Sequence, residues 1–545
     1  MAFDSRYNRA VMGRSGMVAA AHPLAVWAGL ELLRTGGNAM DACLAMAAVT
    51  SVVLPHMCGL GGDAFLIYFD AKSGTVSAMN GSGFAGDGAT IERYRDHGRI
   101  LPQDGIHSVA VPGAPLVFQM AAERFGSVGL ERAFQYGISL AESGFPVSLE
   151  LSRAIGAEER KLRKFKETAS VYMPGGYPLR PGDTLKMPEL ARTLREFVRG
   201  GASYFYRGDF AERFYRLNDR TEGPFTGNEF ERHFSDGIAS PLVYEPLRSD
   251  YRGYTILETA PVSQGFIVLQ TMNILEEFNV RDMEPGSAEL VHLMVEAKKV
   301  AFHDRNSLAG DPETCAFDVS RQISKDYSKS VAGDISLSRT RDGAYGMSGR
   351  GGDTTSFVAW DVHGNACTFI HSIAFQFGSG LTVPGTGVLL NNRAGRSFVL
   401  TPGHPNCLMP GRRPVHTLNC YMVLKDGKPF VIGGTPGGDG QPQWNMQILS
   451  LMLDHGAGPQ DAADFPRWTS TPGTDVVGLT NPPMVRLESR FSDDVRRGLQ
   501  KRGHTVNIVS KWGGGGGAQI VMKDPRSGVL LGGSDRRVGG MALGY

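Results

Sequence analysis

Strand-like and helix-like segments are distributed unevenly along this chain, and their order restricts the folds open to it. The segment AFLIYFDAKSGTVSAMN reads as a β-hairpin turning at Ala71-Lys72-Ser73-Gly74. Ahead of it, HPLAVWAGLELLRTGGNAMDACLAMAAVTSVVLP reads as two helices separated by Gly36-Gly37, the second so apolar that it belongs in a core. Residues 115 to 305 carry mostly helical periodicity, and from residue 355 the chain turns to short strands punctuated by Gly, Pro and Asn. Strands bracketed by helical segments at both ends imply a layered α/β architecture. With 545 residues and 41% hydrophobic content the chain can bury a large core, as one layered unit or as two domains. Its most polar and irregular run, residues 324 to 353, is the natural boundary, and no internal repeat is apparent.

Charge argues against several classes of partner. Lys and Arg number 56 against 55 Asp and Glu, a formal net charge of +1 with both signs mixed along the chain, so no footprint for nucleic acid or an anionic membrane is present. No window reaches 18 uncharged apolar residues and the N-terminal stretch lacks a secretory h-region, which points to a cytoplasmic protein. Six scattered cysteines (Cys43, Cys58, Cys315, Cys367, Cys407, Cys420) fit reduced thiols rather than a disulfide framework.

Five motifs bear on chemistry. WGGGGGAQI lacks the Gly-Lys-Ser/Thr of a phosphate-binding loop, and GLGGDAF is not a strand-to-helix dinucleotide fingerprint. His404, Cys407, His416 and Cys420 have spacing reminiscent of metal ligands, but the intervening sequence does not resemble a small zinc module, so no metal or organic cofactor is expected. GGTPGGDGQPQ puts Gly437 and Gly438 in a sharp loop after a strand, where two unhindered backbone N–H groups can converge on an oxyanion. Finally, Phe357–Trp360 and Ala366–Ile370 flank a turn at 361–365 and read as a second hairpin, with Thr354 and Thr355 at its tip behind Gly-Gly-Asp. A threonine hydroxyl needs an adjacent base to act as a nucleophile, and an N-terminal threonine supplies one in its own α-amine, with a pKa of ~8. On composition alone the same residues also read as a capped turn.

The run DTTSFVAWDVHGNACTFIHSIAFQFGSGLTVPGTGVLLNNRAG resembles the start of the small subunit in the γ-glutamyltransferase family of N-terminal nucleophile hydrolases. SGMVAAAHPLAVWAGLELLRTGGNAMDACLA, PHMCGLGGDAFLIYFD, ETAPVSQGFIVLQTMNILE, GTPGGDGQPQ and DPRSGVLLGGSDRRVGGMALGY extend the likeness over nearly the whole chain. The resemblance implies an α+β fold, a four-layer αββα sandwich. It implies a precursor cut between Asp353 and Thr354 into a 1–353 large segment and a 354–545 small one, which stay associated as one unit, alone or within a higher oligomer. Thr354 is then the nucleophile, Ser372 a second hydroxyl bonded to it, and Gly437 with Gly438 the oxyanion hole. Thr355, Gln376, Asn392, Arg393, His416 and Thr417 fall at substrate-binding positions.

Three departures bear on the substrate. Ser82, in Asn80-Gly81-Ser82-Gly83, stands where family transpeptidases hold the glutamate α-carboxylate with an arginine. Arg393-Ala394-Gly395-Arg396 follows the asparagine pair where they hold the α-amine with an acid, and His416-Thr417 replaces a serine pair. Losing both arms of that clamp removes the charge-assisted bonds that select a γ-glutamyl group. The chain looks closer to the oxamate amidohydrolases of the family, which hydrolyse a small anionic amide. Arg393 is the expected carboxylate partner, while Arg396 reads as a solvated loop residue. The alternatives are a γ-glutamyl hydrolase or transferase, a glutaryl (cephalosporin) acylase and, outside enzymes, an unprocessed silent homologue used for binding.

Overall fold

A computed structural model describes residues 10–98, 100–239, 242–341, 354–473 and 482–545. Two seven-stranded sheets occupy its centre. The first runs, in spatial order, through Val11–Gly13, Leu530–Ser534, Gln519–Lys523, Lys428–Gly434, Tyr421–Lys425, Tyr254–Glu258 and Leu247–Tyr251. The second runs through Met541–Gly544, Met17–Ala20, Thr355–Trp360, Ala366–Ser372, Asp63–Asp70, Thr75–Gly81 and Val243–Tyr244. Every pairing within these two sheets is antiparallel.

Strand periodicity explains why the sheets stack. All six residues of Thr355–Trp360 are buried, and successive side chains leave a strand on opposite faces. Phe357 and Ala359 join an outer core beneath the helices Pro23–Arg34 and Ala39–Val53. Val358 and Trp360 instead join a core between the sheets, where they meet Ile432 and Val521 of the facing sheet. A third core lies on the far side, where Val268, Leu269, Leu293 and Leu449 from three helices cover Val423, Val431 and Ile520. Three apolar layers between four structural layers make the αββα sandwich. Segments from both sides of residue 353 interleave in each sheet: Met17–Ala20 pairs with Thr355–Trp360, and Tyr254–Glu258 with Tyr421–Lys425.

Local expectations hold where apolar patterning was strong. Both hairpins form, at Asp63–Gly81 and Thr355–Ser372, as do the two N-terminal helices, the second capped by a reciprocal bond between Asn38 and Asp41. Two local readings are corrected. The 115–305 region also contains the strands Val243–Tyr244, Leu247–Tyr251 and Tyr254–Glu258; Leu247–Tyr251 is an edge strand with exposed Arg248 and Asp250, so it lacks a helix-versus-strand signature. The polar run from 324 begins as an ordered helix, Lys325–Ala332, because the Ser324 hydroxyl accepts from the Tyr327 N–H at 3.2 Å. Asp353 lies outside the described residues. Among the described residues no helix is long and apolar enough to cross a membrane.

Candidate active site

Sheet register builds the centre of the site. Thr355 pairs with His371, and Ser372 pairs with Asp63 on the next strand, so Thr354, Ser372 and Asp63 form a row across three neighbouring strands. The row is wholly buried. Thr354 Oγ1 donates to Ser372 Oγ at 3.1 Å, and the same oxygen accepts from the Ala374 N–H at 2.9 Å. Ser372 thereby fixes the rotamer of the threonine hydroxyl and is itself fixed by the turn that follows it. Strands approach closely here: a Cβ on Gly62 would come within 2.2 Å of the Ser372 carbonyl oxygen, which accounts for the glycine before Asp63.

Arg393 closes the row. Its Nε donates to Asp63 Oδ2 at 3.0 Å and its Nη2 approaches Ser372 Oγ at 3.5 Å, with both charged side chains fully buried. Burial pushes the Asp63 carboxyl up to about 6, against the opposing pull of the Arg393 guanidinium and the Gly83 backbone. His416 Nδ1 stands 4.0 Å from Asp63 Oδ2. Burial drives the His416 pKa well below its usual range, and the charges of Arg393, Arg396 and Arg305 lower it further, so the ring is neutral. Neither of its nitrogens has a hydrogen-bond partner among the described residues.

Arg396 corrects the sequence reading. It is fully buried rather than solvated; its Nη1 donates to the Ala374 carbonyl at 2.8 Å and its guanidinium lies 4.4 Å from the Phe375 ring centroid. Ala374 is held at φ +81°, a conformation that alanine adopts only when its surroundings impose it. Arg396 and Ser372 supply that constraint, one at the carbonyl and one at the N–H.

The loop Gly437-Gly438 precedes the 14-residue helix Gly440–Leu453. Its glycines take φ +123° and +57°, and a Cβ on Gly437 would meet the Trp444 ring at 2.2 Å. Both of their carbonyls turn into the helix start, accepting from Gly440 and Gln441 N–H at 3.0 Å each. Among the described residues neither glycine N–H has a protein acceptor, and the positive end of the helix lies beside them, a setting suited to developing negative charge. Gln264, which sequence reading missed, ties this loop to the neighbouring wall: its Nε2 donates to the Thr417 carbonyl at 2.8 Å and to the Gly438 carbonyl at 3.3 Å.

Other expected residues divide by geometry. Thr417 is buried with no partner for its hydroxyl among the described residues. Ser82 is likewise buried, one residue from the Gly83 backbone that faces Asp63. Asn392 is occupied at both ends, accepting from the Phe375 N–H and donating to the Gln103 carbonyl at 3.0 Å each, so it braces the loop. Gln376 accepts from Lys161 Nζ through its backbone carbonyl. Alternation sends Thr355 to the helix-facing side, away from Thr354. His371 shares that side; its Nε2 lies 3.0 Å from the Gly59 carbonyl and burial lowers it to about 4, so it is neutral and turned away from the hydroxyl pair. The spaced His/Cys set is not gathered: His404 Nδ1 accepts from the Asn406 N–H, while Cys420 Sγ lies against the Thr368 carbonyl.

A buried threonine–serine pair beside an arginine-rich wall and an open pair of loop N–H groups suits acyl transfer. The gamma-glutamyltranspeptidase family model matches residues 25–545. The chain belongs to this family. The glutathione hydrolase-like YwrD proenzyme of Bacillus subtilis is 37% identical, the match covering 98% of this chain and all of the relative. The oxamate amidohydrolase proenzyme of Klebsiella pneumoniae is 32% identical over 97% of this chain and 98% of its own length. Among solved structures, the cephalosporin acylase of Bacillus halodurans superposes with a TM-score of 0.89 at 32% identity, covering all of this chain and 98% of that one. The chain is thus an amidohydrolase of the γ-glutamyltranspeptidase family with the fold of the N-terminal nucleophile hydrolases.

Proposed function

We propose that this protein is a self-processing threonine amidohydrolase whose substrate is a small anionic amide of the oxamate type. In this reading Thr354 Oγ1 first attacks the Asp353 carbonyl; as the C–O bond forms and the Asp353–Thr354 C–N bond breaks, the Oγ1 hydrogen passes to the nitrogen and frees the α-amine of Thr354, and water then hydrolyses the ester, releasing the Asp353 carboxylate and restoring the hydroxyl. That amine is then the base for turnover. It takes the Oγ1 hydrogen as the C–O bond to substrate forms, and passes it to the leaving nitrogen as the C–N bond breaks. Water attacks the resulting ester in the same way, releasing the acid and restoring the hydroxyl. Ser372 orients Oγ1 in both stages. The N–H groups of Gly437 and Gly438 receive the oxyanion, a role worth roughly 10²–10³ in rate per donor.

The observation that carries the substrate assignment is the charge around His416, a buried neutral imidazole that feels Arg393, Arg396 and Arg305 together, with Asp63 Oδ2 at 4.0 Å. Such a wall favours an anion, and Ser82 leaves no arginine to hold a zwitterion from the opposite turn. Arg393, though paired with Asp63 through Nε, directs Nη2 toward Ser372 Oγ at 3.5 Å. The oxamate amidohydrolase named among the relatives supports this class of substrate. The full-length superposition on a cephalosporin acylase favours a second reading, a longer acyl amide in the same site.

Ammonia release from oxamate, compared with hydrolysis of a glutaryl anilide and a γ-glutamyl anilide, separates these readings. Oxamate is expected to be turned over fastest, and Arg393→Ala and His416→Ala are expected to raise KM more than they lower kcat, because a carboxylate is held equally in ground and transition states. Preferred turnover of either anilide would replace the assignment.

A further inference from the structure

Far from the Thr354 row in sequence, the helix Ala288–Leu308 carries His292 and Glu296 one turn apart, hence on one face. His504, just beyond the helix Asp493–Lys501, packs against that face. One ligand-type atom from each of the three lies within 4.8 Å of the others, all three residues are buried, and among the described residues no other group of three His, Cys, Asp or Glu comes together in this way.

Hydrogen bonding fixes the state of the first imidazole. His292 Nε2 lies 2.7 Å from the Ser336 carbonyl, which can only accept, so Nε2 carries the hydrogen and Nδ1 presents its lone pair to His504 and Glu296. An imidazole anchored by a carbonyl at one nitrogen and offering the other is the arrangement that metal-ligating histidines use. Burial lowers both imidazoles, His504 to about 4, so both are in the neutral form that binds metal. Glu296 is kept ionised against its burial by Lys299 Nζ at 2.7 Å, the Thr340 hydroxyl at 2.8 Å and the Arg341 N–H at 3.1 Å. Those three bonds leave about one of the carboxylate's roughly four acceptor positions open.

We propose that His292, Glu296 and His504 form a site for a divalent transition metal of the zinc type, with solvent or a small anion as the fourth ligand. Two imidazoles and one carboxylate with an open position match the donor set of zinc sites and are unsuited to calcium or magnesium, which take oxygen ligands. His292 Nδ1 and His504 Nε2 are 2.7 Å apart, as a hydrogen-bonded pair. Ligation at about 2.0–2.1 Å in a tetrahedron needs roughly 3.3 Å between them. The hydrogen of His504 must shift from Nε2 to Nδ1, and the ring must move back by about half an ångström. Lys299 and the nearby Arg502 temper the affinity through like charge.

The site would join distant parts of the chain. Thr340 N–H donates to the Arg502 carbonyl at 2.7 Å and Arg502 Nε to the Leu337 carbonyl at 2.9 Å, so a metal here would reinforce the contact of residues 336–341 with the 502–504 turn. These belong to opposite sides of the proposed cut, but the metal site does not depend on that cut.

The test uses the purified full-length protein, stripped with a chelator and titrated with ZnCl2 by calorimetry and with CoCl2 by visible absorption. Expected are one zinc per chain, the intense d–d bands of tetrahedral cobalt, and a Tm raised by zinc. His504→Gln and Glu296→Gln are expected to abolish all three while retaining the metal-free Tm to within a few degrees. Absence of stoichiometric zinc uptake by the wild-type protein overturns the proposal without recourse to any variant, as does equal uptake by wild type and His504→Gln.

Discussion

Arg393 Nε and Asp63 Oδ2 lie 3.0 Å apart with neither side chain exposed to solvent. Burial nevertheless outweighs the attraction, since the carboxyl sits at about 6 rather than 3.8. For an acid with a raised pKa, the proton contributes stability fully below 3.8, and that contribution is lost as pH rises to about 6. Replacing Arg393 by methionine removes the group that limits this rise. The variant should lose on the order of 3–5 kcal/mol at pH 8, the usual cost of leaving a buried charge without its partner, and recover much of it by pH 5, where Asp63 is neutral. Thermal melts of both proteins across that range give the answer. A deficit independent of pH would show that the pair does not govern stability here.

The same carboxyl should appear in kinetics. As pH falls through about 6, Asp63 takes a proton, its hold on Arg393 weakens and Ser372 loses part of its support, so kcat/KM falls on the acid side. Asp63→Asn is expected to be slower at neutral pH and to lack that acid limb. An unchanged limb in Asp63→Asn would assign it to another group.

Processing is the most direct check on Thr354. The wild-type chain should run on a denaturing gel as fragments of 353 residues and the remaining 192 of the 545, the smaller beginning Thr-Thr-Ser-Phe. Thr354→Ala should stay as one band. Ser372→Ala loses the acceptor at 3.1 Å and should cleave more slowly, while Thr355→Ala, turned to the other face, should cleave as wild type or somewhat more slowly. Cleavage of Thr354→Ala at the same bond would remove the threonine from the chemistry.

How far the sequence announced this arrangement depends on whether the signal is local. Thr355–Trp360 and Ala366–Ser372 were readable because both faces of each strand are buried and apolar. Leu247–Tyr251 was not, since an edge strand exposes every second residue. Gly437-Gly438 stood out as a loop because only glycine takes those φ angles readily. The Asp63–Arg393 pair joins residues 330 apart, and Gln264 reaches Gly438 across 174; no window of sequence contains such partners. A carboxylate opening the apolar run Ala64–Phe69 was the one available hint at Asp63. Arg396 was misread for the same reason: a polar turn looks solvated until the loop it supports is in place.

If the Gly437-Gly438 loop receives the oxyanion, as proposed, steric and chemical damage to it can be separated. A side chain at Gly437 must displace the Trp444 ring and abandon φ +123°, so Gly437→Val should reorient the loop N–H groups and lower kcat by about 10²–10³ with little change in KM. Gln264→Ala leaves the glycines intact but removes the ties to the Thr417 and Gly438 carbonyls, and a smaller loss of kcat is expected. Steady-state kinetics on processed protein measure both. Wild-type turnover in Gly437→Val would place the oxyanion elsewhere.

Lys298 tests whether the ground beside that loop is as dry as its packing implies. Its ammonium donates to the Ser470 carbonyl at 3.2 Å and the Pro472 carbonyl at 2.5 Å, and lies 4.2 Å from the Phe302 ring centroid. Burial lowers its pKa from 10.5 to about 7, with Asp439, the residue after Gly438, pulling the other way. Between those values the unfolded chain binds a proton that the folded chain does not, so stability rises with pH across that interval; the contribution is fully present above 10.5 and lost as pH falls to about 7. Lys298→Met fills the same volume without a titrating group. The difference in unfolding free energy between the two proteins should therefore change steadily from pH 7 to pH 10, wild type gaining on the variant as pH rises. Denaturant unfolding at several pH values measures it, and a constant difference would mean that Lys298 remains charged and hydrated, with Asp439 rather than burial setting its state.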